Sequence, residues 1–239
     1  MDLLPNEKKI ETHYRGHRIP IIIRKRSRSD PEQIKEIFVD DIYGPLLDEI
    51  GIKGEYVIDI GAYIGDTMIL FGLHGAAKVF AFEPHPVLFK LAVKNARLNG
   101  VRFSIKNVGL SNTYEKKDIM GRATRSFGLG IGPFLDPKKD NHHQEITLVS
   151  ANTRIHTVLS RAGRRIRLLK IDCEGFETVI LPEITDHLKK IDHVIVECHG
   201  VRKRQAIEAL FICVGMKIRD YSNEQQMSAN KISTIHASW

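Results

Sequence analysis

The feature that most constrains this chain is a short apolar run, repeated along the sequence, that ends each time on a glycine or an acid. Val57-Ile58-Asp59-Ile60 stops at Gly61, Val79-Phe80-Ala81-Phe82 stops at Glu83, and Arg167 to Ile171 runs into Asp172. Helical segments follow the first two runs, from about Asp66 to Gly72 and from Pro86 to Leu98, the second closed by Asn99-Gly100. Strands that are apolar at consecutive positions are buried on both faces. Their alternation with helices predicts an α/β fold, a Rossmann-like, mostly parallel sheet covered on both sides. Further strands are predicted at Arg102–Val108, Ile146–Val149, Val194–Glu197, Lys217–Tyr221 and Lys231–His236. Helices are predicted at Ile155–Arg161, Glu177–Leu188 and Arg204–Val214.

Residues 1–54 read as an N-terminal extension and 55–239 as the sheet domain. Within the extension, Tyr14–Lys25 predicts a hairpin around Gly16. Asp30-Pro31 predicts a helix start, with Asp30 as N-cap and Pro31 in the first turn. Gly44-Pro45 ends that helix and Leu46–Ile50 forms another turn. Residues 112–145, punctuated by Gly121, Gly128, Gly130, Gly132, Pro133 and Pro137, predict a long loop or lid.

Composition narrows the classes. Hydrophobic residues are 42% and charged residues 27%, ordinary for a globular chain. No apolar segment approaches the ~20 residues a membrane helix needs, and the start MDLLPNEKKIETH lacks the apolar core of a secretory leader. Cys173, Cys198 and Cys213 form no close pair and no ladder with histidines, which excludes a disulfide framework or structural zinc site and predicts a cytoplasmic setting. The net charge of +7 raises nucleic acid as a partner. Residues 1–54 carry ten charges of each sign, however, and the excess elsewhere is spread thin. Solvated surface is the expected role of Arg24-Lys25-Arg26 and Arg202-Lys203-Arg204, ahead of a binding patch.

The turn VIDIGAYIGDT, Val57 to Thr67, lies where an open parallel sheet binds ligands. Gly61 permits a sharp turn, and Gly65 admits a ligand or a neighbouring strand. The spacing G-x-x-x-G differs from the G-x-G-x-x-G of dinucleotide sites, and Asp59 beside it would repel a phosphate. An acid there suits a cation, and Glu83 suits ribose hydroxyls. A ligand with a ribose, no phosphate and a positive amino-acid end satisfies both, as S-adenosylmethionine does.

From about Ile37 to Tyr221 the chain resembles the FkbM-type family of S-adenosylmethionine-dependent methyltransferases. The resemblance rests on VIDIGAYIGDT, VFAFEPHP with VKNARLNG behind it, NVGLS, and above all LLKIDCEGFETVIL. The last carries the family pattern Lys-x-Asp-x-Glu-Gly-x-Glu on Lys170, Asp172, Glu174, Gly175 and Glu177. The resemblance implies a seven-stranded class I methyltransferase sheet, mostly parallel with the last strand antiparallel. It also implies a cofactor site from Asp59, Gly61, Ala62, Tyr63, Gly65, Glu83, Pro84, Asn107 and Asp172. The implied reaction is methyl transfer to a hydroxyl oxygen, often on a sugar or natural product. Two departures stand out: Tyr63 replaces the usual Asn after Gly-Ala, and ANTRIHTVL replaces the usual Thr-Leu-Asp, putting Arg154 near an expected Asp.

Methyl transfer needs an aligned acceptor and a group to take its proton. Asp172 is a candidate general base, Glu174 a second, and Lys170 can orient either. Glu177, a turn further on, reads as a cap or pairing residue. In IVECHG, Glu197 and His199 share one side of a strand, where a buried acid needs a partner. His199 is thus a further catalytic candidate, and Asp172, Glu197 and His199 are candidate ligands for a divalent cation. His85 reads as a wall of the cofactor site; the other histidines form no constellation in the sequence. The acceptor is expected to be a sugar, glycan or other small molecule. The alternatives are an RNA or protein acceptor, or a non-catalytic binding module on the same fold.

Overall fold

A computed structural model describes residues 3–120, 143–222 and 232–239. A hairpin of β1 (Glu7–Tyr14) and β2 (His17–Arg24) leads into α1 (Ser29–Phe38) and α2 (Gly44–Ile50). The sheet domain begins with β3 (Tyr56–Ile60), α3 (Asp66–Leu73), β4 (Lys78–Phe82), α4 (Pro86–Leu98) and β5 (Phe103–Lys106). A small sheet of β6 (Gly109–Ser111), β7 (Glu115–Met120) and β8 (His143–Ser150) interrupts the alternation. The chain then runs through α5 (Ala151–Ala162), β9 (Ile166–Ile171), α6 (Glu177–Glu183), α7 (Thr185–Leu188) and β10 (Ile191–His199). It ends with α8 (Val201–Val214), β11 (Lys217–Asp220) and β12 (Ile232–Ser238).

The main sheet has seven strands in the order β5-β4-β3-β9-β10-β12-β11. The pairings β4–β5, β3–β4, β3–β9 and β9–β10 are parallel, and β12 runs antiparallel to both β10 and β11. This is the α/β class I methyltransferase sheet, with its last strand reversed. Strand alternation splits the core in two. Val57, Val79, Ala81, Leu168 and Ile195 face α3, α4 and the N-terminal segment, while Ile58, Phe80, Leu169, Ile171 and Val196 face α5 to α8.

Several elements differ from the sequence reading. The hairpin is longer, Glu7 pairing with Arg24. Residues 115–120 and 143–145, read as part of a loop, are strands, while 121–142 lie outside the described residues. The helix at 177–188 is two helices, parted at Ile184 just after Pro182, whose ring removes a backbone donor. The N-terminal segment is packed into the sheet's core through Ile19, Ile21, Ile22, Ile23, Ile37 and Leu46. His74 does join a constellation: the Tyr14 hydroxyl lies 2.7 Å from its Nε2 and donates to Asp41 at 2.8 Å, and His74 Nδ1 lies 3.4 Å from Asp48. That network fastens the hairpin to α2 and the end of α3. Among the described residues no helix is long and apolar enough to cross a membrane.

Candidate active site

The carboxyl ends of β3, β4 and β9 converge on a buried ammonium. Lys170 on β9 sits in register with Asp59 on β3, and both are sealed from solvent, at 2% and 0% exposure. Lys170 Nζ lies 3.3 Å from Asp59 Oδ1 and 3.5 Å from Asp172 Oδ2, and donates to the Gly61 carbonyl at 3.0 Å. Asp59 Oδ2 accepts from the Thr67 hydroxyl at 2.6 Å. Burial acts to lower the Lys170 pKa, but Asp59, Asp172, Asp66 and Glu197 together hold it above the ordinary range. Burial raises Asp59 despite Lys170 and Thr67. Asp59 therefore faces an internal cation, not the open pocket that the sequence suggested. Its place one residue before the strand's end points its side chain onto the covered face.

Both turn glycines are left-handed, φ 86° at Gly61 and 87° at Gly65. A Cβ on Gly61 would lie 1.8 Å from the Asp172 carbonyl oxygen, so the close approach of β3 to the end of β9 demands glycine there. At Gly65 a Cβ would lie 2.9 Å from Ala92 Cα. Helix α4 fills the space that the sequence reading left for a ligand or strand. The Gly61 and Ala62 amides donate to the Phe82 carbonyl at 3.0 and 3.1 Å. The Tyr63 amide donates to Glu83 Oε2 at 2.9 Å, and the His85 amide to Glu83 Oε1 at 2.8 Å. Burial pushes Glu83 up to about 8 against those two bonds. Asn107 Nδ2 donates to the Glu83 and Pro84 carbonyls at 2.9 and 2.8 Å, fixing the bend after β4. His85 caps α4, its Nδ1 accepting from the Val87 amide at 3.2 Å, and burial, aided by Arg24, pushes its pKa down to about 4.

Past β9 the backbone turns through left-handed Glu174 (φ 55°) and Gly175 (φ 105°). Glu177, fully buried, accepts through Oε1 from the Cys173 and Gly175 amides at 3.1 and 3.0 Å. The same oxygen lies 3.2 Å from His199 Nδ1. The spacing had suggested a cap or a pair; Glu177 pairs with His199 and ties the turn before α6, whose N-cap is Phe176 with no side-chain bond. His199 Nε2 stands 3.5 Å from Glu174 Oε2 and 3.5 Å from Glu197 Oε1. Burial would lower the imidazole pKa, but the bond to Glu177 and the charges of Asp172 and Glu174 raise it to about 9. Asp172, Glu174 and His199 offer ligand atoms within 4.8 Å of one another, so Glu174 takes the place that the sequence gave Glu197 in that trio. The turn after β9 swings Glu174 toward His199, whereas Glu197 remains within β10, where burial and Asp172 raise its pKa.

Three contributors escaped the sequence reading. Asp30 is not an N-cap: α1 begins at Ser29 with no side-chain cap, and Asp30 is buried against the Arg24 guanidinium. A buried guanidinium needs a carboxylate more than a helix end in water needs a cap. Arg24 Nη2 also donates to the Tyr63 hydroxyl at 2.6 Å, which donates to Asp30 Oδ1 at 2.7 Å. Asn95 on α4 accepts from the Ile22 amide at 2.7 Å and donates to the Ile22 and Ile64 carbonyls at 2.9 and 2.8 Å. Its signal was legible: an amide in the buried stripe Leu88, Leu91, Ala92, Ala96. Arg24 had none, since a basic run reads as surface.

Comparison with known proteins gives the family and the fold. The family model "Methyltransferase FkbM domain" matches residues 59–223. A relative, Methyltransferase 1 of Beauveria bassiana (strain ARSEF 2860), is 26% identical over 190 residues, covering 68% of this chain and 71% of its own. Among solved structures, a putative SAM-dependent methyltransferase from Streptococcus mutans superposes with a TM-score of 0.51 at 11% identity, covering 100% of this chain and 57% of that one. A precorrin 8w decarboxylase from Methanobacterium thermoautotrophicum gives 0.50 at 10% identity, covering 83% and 90%. At such identities the likeness is one of fold.

Proposed function

The chain belongs to the FkbM family of S-adenosylmethionine-dependent methyltransferases, and on that premise we propose that it methylates a hydroxyl oxygen of a sugar, glycan or other small molecule. The observation that carries this reading is Asp172. Its carboxylate leaves the end of β9 partly open to solvent, braced from behind by Lys170 and flanked by the glycine turn. A base at that spot can take the proton of an acceptor hydroxyl.

The residues of the turn fit the cofactor. Among the described residues Glu83 accepts two backbone amides, one on each oxygen, and each oxygen keeps a lone pair for a ribose diol. Gly61, Ala62, Tyr63 and Gly65 shape the cradle, Pro84 and Asn107 set its far wall, and Asp59 serves it through Lys170. S-adenosylmethionine, when bound, supplies a methyl group on a sulfonium. Asp172 then aligns and deprotonates the acceptor, with Glu174 beside it. His199, its Nδ1 committed to Glu177, turns Nε2 toward Glu174 and Glu197.

A second reading keeps the reaction and adds a divalent cation, favoured by the clustering of Asp172, Glu174 and His199. There the three side chains hold an ion that lowers the acceptor's pKa. Two cations of the basic runs already have carboxylate partners within the chain, which weighs against a nucleic-acid acceptor. Arg24 is buried on Asp30, and Arg204 bonds Glu208 at 2.7 Å and Asp220 at 2.9 Å.

Calorimetric titration with S-adenosylhomocysteine, with NADH as control ligand, tests the cofactor; micromolar binding of the first alone is expected, and no binding sinks the reading. Asp172→Asn tests the base: S-adenosylhomocysteine affinity should hold while turnover with a responsive hydroxylated acceptor falls by roughly 10²–10⁴-fold. Normal turnover would remove Asp172 from that role.

A further inference from the structure

Tyr63 occupies the tip of the glycine turn with φ 48°, a left-handed backbone that side chains other than Asn, Asp and Gly seldom adopt. An aromatic residue at such a position persists only where its surroundings over-determine it. Here they do, and they come from elsewhere in the chain. The phenol hydroxyl accepts from Arg24 Nη2 at 2.6 Å and donates to Asp30 Oδ1 at 2.7 Å. The Arg24 guanidinium carbon lies 5.5 Å from the centre of the Tyr63 ring. Arg24 and Asp30 are themselves nearly sealed, with side-chain exposures of 7% and 0%. Their pairing is multiple: Arg24 Nε donates to Asp30 Oδ2 at 3.1 Å, and the Arg24 amide donates to the same oxygen at 2.8 Å. The Ser27 hydroxyl adds a bond to Asp30 Oδ1 at 2.8 Å.

The consequence lies in the backbone of Tyr63. Its amide donates to Glu83 Oε2 at 2.9 Å, so the residue whose phenol is anchored is one of the two that hold that carboxylate. A second tie runs in parallel, since Asn95 Nδ2 bridges the carbonyl of Ile22, on β2, to that of Ile64, next to Tyr63. The hairpin and α1 thus grip two consecutive residues of the turn.

We propose that Arg24 and Asp30 are positioning residues for the cofactor site, holding the Tyr63 phenol so that the turn between Gly61 and Gly65 keeps its grip on Glu83. This rests on the reading of that turn and Glu83 as the place where S-adenosylmethionine binds. The N-terminal segment is then a working part of the site, and Arg24 and Asp30 touch neither cofactor nor acceptor.

The test uses the full chain, calorimetric titration with S-adenosylhomocysteine at low temperature, and thermal unfolding of each variant without ligand. Tyr63→Phe, which leaves the Arg24–Asp30 pair intact, should weaken binding by about tenfold, as should Arg24→Gln. Tyr63→Asn sets the reference for the next step, because Asn adopts the left-handed backbone without a phenol to anchor it, so the affinity of that protein no longer runs through Arg24. The decisive comparison adds Arg24→Gln to the Tyr63→Asn protein. The melting temperature should fall as it does in the parent, while affinity stays unchanged. Unaltered affinity in both Tyr63→Phe and Arg24→Gln overturns the proposal. So does an equal loss from Arg24→Gln in both backgrounds, which would make its effect general to the fold. Absence of binding by the unsubstituted protein overturns the cofactor reading and this proposal with it, whereas unaltered variants of a binding protein overturn this proposal alone.

Discussion

Lys170→Met removes the central ammonium and keeps most of its bulk. Asp59 is then left fully buried, with Oδ2 on the Thr67 hydroxyl and Oδ1 facing a thioether. Contacts of 3.3 and 3.5 Å to two carboxylates are each worth about 5 kcal/mol of attraction at an effective dielectric of ~20, before desolvation is subtracted. Removing one partner of such a buried pair costs about 3–5 kcal/mol net, out of a total stability of about 5–15 kcal/mol. The loss should also depend on pH, because the stranded carboxyl can escape by binding a proton. Burial already raises Asp59 in the parent, and without Lys170 it rises further. A carboxyl raised in the folded state lends stability that is present below its ordinary range and is lost as pH climbs through the folded value. The deficit relative to the parent should therefore shrink toward acid pH and grow toward alkaline pH. Urea unfolding followed by circular dichroism as the pH is varied measures it. A deficit under about 1 kcal/mol at the alkaline end, or one that does not shrink on acidification, would refute the view that Lys170 neutralises Asp59. Adding Asp59→Asn should return much of the loss.

At about pH 9, above the folded value of about 8, Glu83 is charged, and Glu83→Gln, which keeps the length of the side chain and removes that charge, should weaken S-adenosylhomocysteine binding about 10–100-fold, the worth of charge-assisted bonds to two hydroxyls; calorimetry at that pH with unchanged affinity would take Glu83 out of the site. The free protein should be most heat-stable at about pH 5–6. Burial raises Glu83 to about 8 and Asp66 to about 7, and their stabilising share is lost as pH rises through those values. Burial depresses His85 and His236 to about 4, and their share is lost as pH falls through that value. Melting curves that peak on the alkaline side would contradict these assignments.

What the sequence disclosed tracks the range of the interaction involved. The strands of the parallel sheet were legible because burial on both faces leaves continuous apolar runs, and the turn at Gly61 because a close backbone approach leaves a glycine. The strands at 115–120 and 143–145 were not, since they pair with each other across the intervening residues and their sequences, EKKDIM and HQE, lack a continuous apolar run. Asp30 was misread because Asp-Pro is a local signal for a helix start, and a buried Arg24 six residues away overrides it. Tyr63 stood out only as a departure from the family's usual Asn. Its partners lie 33 and 39 positions earlier, beyond the reach of any local pattern.

The pattern Lys-x-Asp-x-Glu-Gly-x-Glu is best understood as geometry written at two periods. Lys170 and Asp172 are two residues apart, so the period of a strand sets them on one face, and the ammonium buried beneath braces the carboxylate at the rim. Were the strand to continue, Glu174 would line up behind them. Left-handed Glu174 and Gly175 break the strand instead, and Lys203 reinforces the bend by donating to the Gly175 carbonyl at 3.1 Å. Glu177 then reaches back to collect the amides that the turn leaves free and passes the same oxygen to His199. Each acid thus has a separate duty: Asp172 at the rim, Glu174 swung toward His199, Glu177 inside the turn. Substituting one for another, though all are carboxylates, should not preserve the site, because the backbone at each position has been shaped for a different reach.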